Sequence, residues 1–269
     1  MPLPLLATTA HPLDLAAEPY VDLGFWKVIN VFRGKTGSLR ALGAHASVLK
    51  PGHSAHPAHT HPGEELCVML EGALEVELPD AGSRSLLERG AVGFVPADVL
   101  HSLASVGEVP AVYLIVRWLA DPDEGASGAP RQDAVNLDAS LPAAEDGAAS
   151  TLPLLDTTTD YLRRFRCTAE RLPAGGVVEP TLAANDRLLI VLDGMLDAAG
   201  SAVSAPGLLF IRAGEACSVS APGPSSASYL SCTFEPHPAS PGRRLVNDAL
   251  WYSRRSVLRR PMTELAERP

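Results

Sequence analysis

The second half of this 269-residue chain repeats the punctuation of the first, and that repeat constrains the fold more than any other feature. Leu49-Lys-Pro-Gly52 returns as Leu172-Pro-Ala-Gly175, Leu70-Glu-Gly72 as Leu192-Asp-Gly194, Phe94-Val95 as Phe210-Ile211, and Tyr113-Leu114 as Tyr229-Leu230. The offsets are 123, 122, 116 and 116, so one unit occurs twice in the same order. Residues 121 to 150 lie between the copies, are rich in Ala, Asp, Gly and Pro, and read as a linker. With 22 Gly, 24 Pro and only 5% aromatic residues, the chain favours many short strands joined by turns over long helices. Phe25 to Phe32, Ala41 to Leu49, Leu66 to Leu70, Ala73 to Leu78 and Ala111 to Trp118 are such strands in the first copy. The expected organisation is an all-β chain with domains at 1–120 and 151–236, the linker at 121–150, and a tail at 237–269 that is partly helical.

The chemistry concentrates between His53 and Gly72. His59, His61 and Glu65 all fall at odd positions, so an extended backbone presents the three side chains on one face. Glu64 competes with Glu65, but a regular strand turns it to the opposite face. About thirty residues on, Gly90 to Pro96 leads through Ala97-Asp98-Val99-Leu100 to His101, a turn, strand and turn that deliver one more imidazole. Three neutral imidazoles and one carboxylate suit a divalent first-row metal with positions left open for water or substrate. Cys67 and Met69 share the parity of Glu65 and are expected to line the pocket as apolar groups. Tyr113, Ile115 and Arg117 share one face of the last long strand, with no signal for which face looks inward. His53 and His56 read as solvated loop histidines, and His11, His45 and His237 carry no signal.

These residues resemble the motifs of the cupin family. Its first motif, G-x5-H-x-H-x3,4-E-x6-G, is matched by Gly52, His59, His61, Glu65 and Gly72, with one extra residue before His59. Its second, G-x5-P-x-G-x2-H-x3-N, is matched by Gly90, Pro96 and His101, while Asp98 replaces the inner glycine and Ser105 the closing asparagine. The resemblance implies a small jelly-roll barrel, or double-stranded β-helix, in which His59, His61, Glu65 and His101 hold the metal. Asp98, in the glycine slot, is either an acceptor that orients an imidazole or a surface turn residue. The leader up to about residue 24 is expected to be irregular and to cover a barrel edge.

The second copy keeps the scaffold spacing and lacks the ligands. Counted from Gly175 and Gly194, the three first-motif ligand positions hold Thr181, Ala183 and Arg187, and the constant offset of 116 puts Cys217 at the position of His101. A guanidinium offers only donors and stays charged, so it cannot replace a metal ligand. The resemblance is therefore to a bicupin with a metal-binding first barrel and a degenerate second barrel that supplies packing surface, subunit contacts or a pocket wall.

Composition limits the remaining functions. A net charge of −9 argues against non-specific binding to nucleic acid. No stretch approaches the ~20 apolar residues of a membrane span, and the N-terminal MPLPLLATTA has no basic flank to make it a signal peptide. Cys67, Cys167, Cys217 and Cys232 have no C-x-x-C spacing and are expected as buried thiols, which points to a reducing, cytoplasmic setting, and the Arg- and Ala-rich composition hints at a bacterial source. Seven arginines after Pro236 against three acids give the tail a local charge of +4, read as a helix that docks on the acidic body. Barrel edges leave room for a homodimer.

A site of this kind supports three readings. The first is a dioxygenase-like oxidoreductase acting on a small enol, phenol or keto acid, with Fe or Mn favoured over Ni, Cu or Zn. The second uses the ion as a Lewis acid in an isomerase, decarboxylase or lyase. The third is a non-enzymatic small-molecule binder, which an intact four-ligand set disfavours.

Overall fold

Runs that alternate apolar and polar residues become strands here because each sheet has one face against a core and one toward a second apolar layer or solvent. The computed structural model describes residues 2–120, 135–138, 149–198 and 200–237. The greater part of the expected linker, and the expected helical tail beyond His237, lie outside the described residues. The first half contains β1 (Thr9–Pro12), β2 (Val21–Asp22), β3 (Trp26–Gly34), β4 (Ala41–Leu49), β5 (Glu64–Glu71), β6 (Ala73–Leu78), β7 (Ser83–Glu88), β8 (Ala91–Val95), β9 (Ser102–Ser105) and β10 (Ala111–Leu119). After β11 (Val135–Asp138) the second half contains β12 (Ser150–Thr157), β13 (Leu162–Leu172), β14 (Val177–Leu182), β15 (Asp186–Asp193), β16 (Met195–Ala198), β17 (Ser201–Ser204), β18 (Gly207–Ile211), β19 (Ala216–Ser220) and β20 (Ala227–Pro236). Among the described residues no helix is long and apolar enough to cross a membrane, and all four cysteines are buried without a disulfide.

Two jelly-roll barrels result, each a large antiparallel sheet facing a small one. The first large sheet runs β11-β8-β5-β10-β4-β3-β2 and faces β7-β6-β9. In the second, β1-β18-β15-β20-β13-β12 faces β14-β19-β16-β17. The sheets keep the order of the sequence repeat, with β8, β5, β10 and β4 matched by β18, β15, β20 and β13. The repeated Leu-x-Gly ends β5 and β15 in the same way: Gly72 and Gly194 have φ of 77° and 74°, and an added Cβ would lie 2.6 Å from the Pro110 carbonyl oxygen and 2.4 Å from that of Ser226.

The leader departs from its expected course. Rather than staying with the barrel it precedes, β1 pairs with β18 of the second barrel, from Thr9 opposite Phe210 to Pro12 opposite Gly207. Conversely β11, which precedes the second barrel, pairs with β8 of the first. Each barrel thus has an edge covered by the strand that leads into the other, which ties the halves together through backbone hydrogen bonds as well as side chains.

The outer faces of the two large sheets pack back to back. Trp118, Phe94 and Phe165 form a ring stack, with Phe165 centred 4.7 Å from Trp118 and Phe234 closing it at 5.2 Å from the indole. Two buried carboxylates sit in this apolar layer, related by the repeat. Glu64 of the first barrel accepts from Trp118 Nε1 at 2.6 Å and from Thr159 Oγ1 of the second at 2.9 Å. Asp186 of the second barrel accepts from Thr36 and Ser38 of the first, each at 2.5 Å, and from the Ala213 amide at 3.0 Å. Thr36 and Thr159 occupy equivalent positions, and each also caps the turn behind it through its own Oγ1, to the amides of Leu39 and Leu162. Glu64 thus faces the inter-barrel layer and away from the first barrel's interior.

Burial raises the Glu64 pKa to about 7 against the pull of the Thr159 and Trp118 donors. The unfolded chain releases this proton near 4.5, so the contribution of Glu64 to stability is complete below that pH and is lost as pH rises through about 7. Replacement Glu64→Gln keeps the acceptor without the charge. Between pH 5 and pH 8 the stability of the variant relative to the parent is expected to improve by on the order of 2–3 kcal/mol in urea unfolding; a pH-independent difference would rule out a buried titrating carboxyl. Phe165→Ala, which hollows the aromatic stack, is expected to cost about 3–5 kcal/mol in the same assay.

Candidate metal centre

The first barrel's interior is set by strand parity. On β10, Tyr113 and Ile115 point inward with Arg117, while Leu114, Val116 and Trp118 point to the other barrel. On β5, Cys67 and Met69 join the interior cluster with Trp26, Leu103 and Val95, as the shared parity with Glu65 implies. Registers of Glu65 opposite Arg117 and Cys67 opposite Ile115 bring the two strands' inward residues together at the barrel mouth.

The histidines arrive differently from a regular strand. In the second barrel the stretch equivalent to His59 is strand β14, paired with β19 through Thr181 opposite Cys217. In the first barrel the same pairing survives only as isolated bridges, Ser54 with Ala104 and His59 with His101. The additional residue before His59 and Pro57, which lacks a donor, fit this interrupted ladder. His59 and His101 exchange backbone hydrogen bonds of 3.0 and 3.1 Å, and the Asp98 amide donates to the His61 carbonyl at 2.9 Å. His61 therefore sits in a loop and Glu65 on β5, with the chain bending between them at Pro62-Gly63. Asp98 is an exposed turn residue with φ of 57°, the left-handed conformation that a glycine in that slot would take, and its side chain lies outside the imidazole cluster.

Backbone carbonyls orient two of the rings. His61 Nδ1 lies 2.8 Å from the Gly63 carbonyl and His101 Nδ1 lies 2.8 Å from that of Val99. A donating Nδ1 leaves Nε2 as the lone-pair nitrogen, which is the arrangement that fixes a ligating imidazole. The ring centroids of His59, His61 and His101 are 4.7 to 5.4 Å apart, and one ring nitrogen from each lies within 4.8 Å of the others. His59 Nδ1, His61 Nε2 and His101 Nε2 are buried with no hydrogen-bond partner. Burial, then the neighbouring imidazoles, lower the His59 pKa to about 3, and burial also lowers that of His101. Buried nitrogens that converge without hydrogen-bond partners are costly unless something takes their lone pairs. This three-histidine group could hold a metal ion.

Glu65 adjoins that group and is 1% exposed. Its Oε2 lies 3.3 Å from His61 Nε2 and accepts from Arg117 through Nε at 3.1 Å and, more closely, through Nη2. Burial alone would raise the Glu65 pKa, but the Arg117 guanidinium, followed by His61, holds it well below the usual carboxylate range. All four candidate ligands thus lie at one mouth, three imidazoles as a cluster and the carboxylate beside His61 with an arginine as its counter-ion.

Several contributors had no sequence signal. His56 is half-buried, its ring 4.0 Å from His59 and 5.7 Å from Trp26, and burial lowers its pKa, so it belongs to the rim of the site and is not a solvated loop histidine. His53, by contrast, is exposed and stacks on Phe25 at 5.0 Å. His45 points inward on β4; burial first, then Arg117, lower its pKa to about 4. Tyr161 reaches across from the second barrel and donates to the Pro62 carbonyl at 2.6 Å, bracing the bend that separates His61 from Glu65. Inward parity of Gly43, His45 and Ser47 between outward Leu42, Ala44 and Ala46 was readable in principle, whereas Tyr161 lies 99 residues from its partner and announces itself by no local pattern.

Residues 46–117 match the family model of the cupin domain. No curated protein matches the sequence. Among solved structures, the chain is similar to a protein of Pseudomonas aeruginosa described as glyoxylate-induced, at 17% identity and a TM-score of 0.66 over 90% of this chain and 92% of that one. AerE from Microcystis aeruginosa is similar at 13% identity and a TM-score of 0.60, over 84% and 97% of the two chains. Oxalate decarboxylase of Bacillus subtilis, with Mn(II) centres, is similar at 13% and 0.60, over 87% and 79%. At such identities the likeness concerns the fold. The cupin domain is thus matched within the first barrel, and across the rest of the chain the likeness to these structures is one of fold.

Proposed function

We propose that the first barrel is a metal-dependent enzyme centre in which His59, His61, Glu65 and His101 hold one divalent transition metal, Fe or Mn in preference to Ni, Cu or Zn, and that it oxidises a small enol, phenol or keto acid. The observation that carries this reading is the convergence of three buried imidazole nitrogens, with His61 Nε2 3.3 Å from the ionised carboxylate of Glu65. A divalent ion held by these residues would supply a Lewis-acidic position for the oxygens of such a substrate and a site for dioxygen beside it. The chain's own groups prepare the site. Gly63 and Val99 carbonyls fix the tautomers of His61 and His101, Arg117 keeps Glu65 ionised, and Tyr161 braces the ligand loop. Trp26, Met69, Leu103 and Ile115 line the barrel behind the imidazoles and exclude water from one side, which suits an apolar or aromatic substrate body over a sugar.

A second reading is metal-assisted isomerisation, decarboxylation or lyase chemistry without dioxygen. It is favoured by His56, a neutral imidazole beside His59 at the rim, where it is placed to accept a proton from a bound substrate. A similar fold in an oxalate decarboxylase adds support of the same grade. Either reading places the chain with small-molecule substrates rather than nucleic acid or membrane. The buried, unbridged cysteines agree with a reducing, cytoplasmic setting.

Elemental analysis and oxygen consumption test this. Purified protein is expected to carry close to one metal per chain and to consume dioxygen with a catechol, flavonol or β-diketone; turnover under argon without uptake would select the second reading. His61→Ala and His101→Ala are each expected to abolish metal retention, whereas Cys217→Ser leaves it unchanged, and full occupancy in either histidine variant would refute the ligand assignment. Tyr161→Phe, which releases the Pro62 carbonyl without touching a ligand, is expected to weaken metal affinity by about tenfold in competition with a chelator.

A further inference from the structure

The second barrel has lost its metal ligands but not its pocket. At the mouth equivalent to the metal centre lies a cavity of about 400 Å³, within the size range of small-molecule sites. It is lined by Arg187, Glu170, Thr168, Ser231, Thr233 and Ala183 among others. Two replacements made this space. Ala183 stands where His61 stands in the first barrel, so an imidazole's volume is vacated, and Arg187 stands at the position of Glu65, so the central charge changes sign. In the first barrel a carboxylate on β5 is held by an arginine on β10. In the second, Thr233 faces Arg187 across the ladder, and the acid has moved to β13 as Glu170.

The pairing of Arg187 is incomplete in a way that matters. Its Nε donates to Ser231 Oγ at 2.9 Å, which fixes the plane of the guanidinium. The nearest carboxylate, Glu170 Oε2, is 3.7 Å from Nη2, beyond hydrogen-bond distance. That carboxylate is already served by hydroxyl donors, Tyr229 at 2.7 Å on Oε2 and Thr168 at 2.8 Å on Oε1. A guanidinium oriented through Nε and only loosely balanced presents its remaining donors to the cavity as a planar fork, the geometry that matches a carboxylate bidentately. Arg166, also lining the cavity, is paired with Asp156 at 3.6 Å, which leaves Arg187 as the cation with donors to spare there. The surrounding threonine and serine hydroxyls provide further polar contacts for the ligand body.

We infer that the second barrel is a metal-independent binding pocket for a small organic acid, whose carboxylate docks on Arg187. The pocket stands apart from the first barrel's chemistry, so its test does not rest on that reading. Isothermal titration of the full-length chain, stripped of metal by a chelator, with benzoate, butyrate and inorganic phosphate measures it. One saturable site for a carboxylate is expected, weakened by about 10- to 100-fold in Arg187→Met and retained in His61→Ala. Ala183→Phe, which refills the vacated volume without altering charge, is expected to abolish binding independently of any effect of Arg187→Met on folding. Metal content should be the same in Arg187→Met, Ala183→Phe and the parent. Binding of phosphate alone, binding that survives both second-barrel substitutions, binding lost in His61→Ala, or no binding of any probe would each overturn the proposal.

Discussion

The contact on which everything else leans is the apolar layer between the two large sheets. Each barrel is a thin shell, and a sheet with one face on its own interior still leaves an apolar outer face that water penalises. The chain answers by turning the outer faces of both sheets against each other, so that Trp118, Phe94, Phe165 and Phe234 stack between them. That layer also accounts for the two buried acids. Glu64 and Asp186 would be expensive inside it alone, yet each receives hydroxyl donors from the opposite barrel, and the reciprocity through Thr36 and Thr159 defines one relative orientation of the halves. The exchanged edge strands β1 and β11 reinforce the same arrangement through backbone ladders.

The candidate metal centre depends on this layer at one remove. Glu64 and Glu65 are consecutive, so the strand that plants one acid in the interface necessarily turns the other into the barrel, where Arg117 receives it. Tyr161, carried at the start of the second barrel, reaches back to the Pro62 carbonyl and steadies the bend carrying His61. The second barrel is therefore part of the first barrel's site although it contributes no ligand, and its role as a bracing wall is visible in a single hydrogen bond.

The two mouths differ in the sign of one charge at an equivalent position of the repeat. The same inward position on equivalent strands holds a carboxylate in one barrel and a guanidinium in the other. The first arrangement is suited to a cation, with imidazoles around it, and the second to an anion, with hydroxyls around it. Strand geometry is preserved in both because the alternation of side chains, rather than their chemistry, decides which residues face the cavity.

The sequence by itself determined the all-β character, the repeat, the identity of the four candidate ligands and the degeneracy of the second copy, because each is written in local periodicity or in residue spacing that survives any packing of the halves. Glu65 could be preferred to Glu64 on the same ground, since strand parity is a local property. What only the tertiary structure decided are the features made by residues far apart in the chain: the exchange of β1 and β11, the Thr36–Asp186 and Thr159–Glu64 contacts, the inward turn of Arg117 and His45, and the approach of His56 to His59. A turn-rich segment has no fixed period, so nothing local marks the approach of the His56 ring to those of Trp26 and His59. Periodicity reports which side of an element a residue lies on; only packing reports what waits on that side.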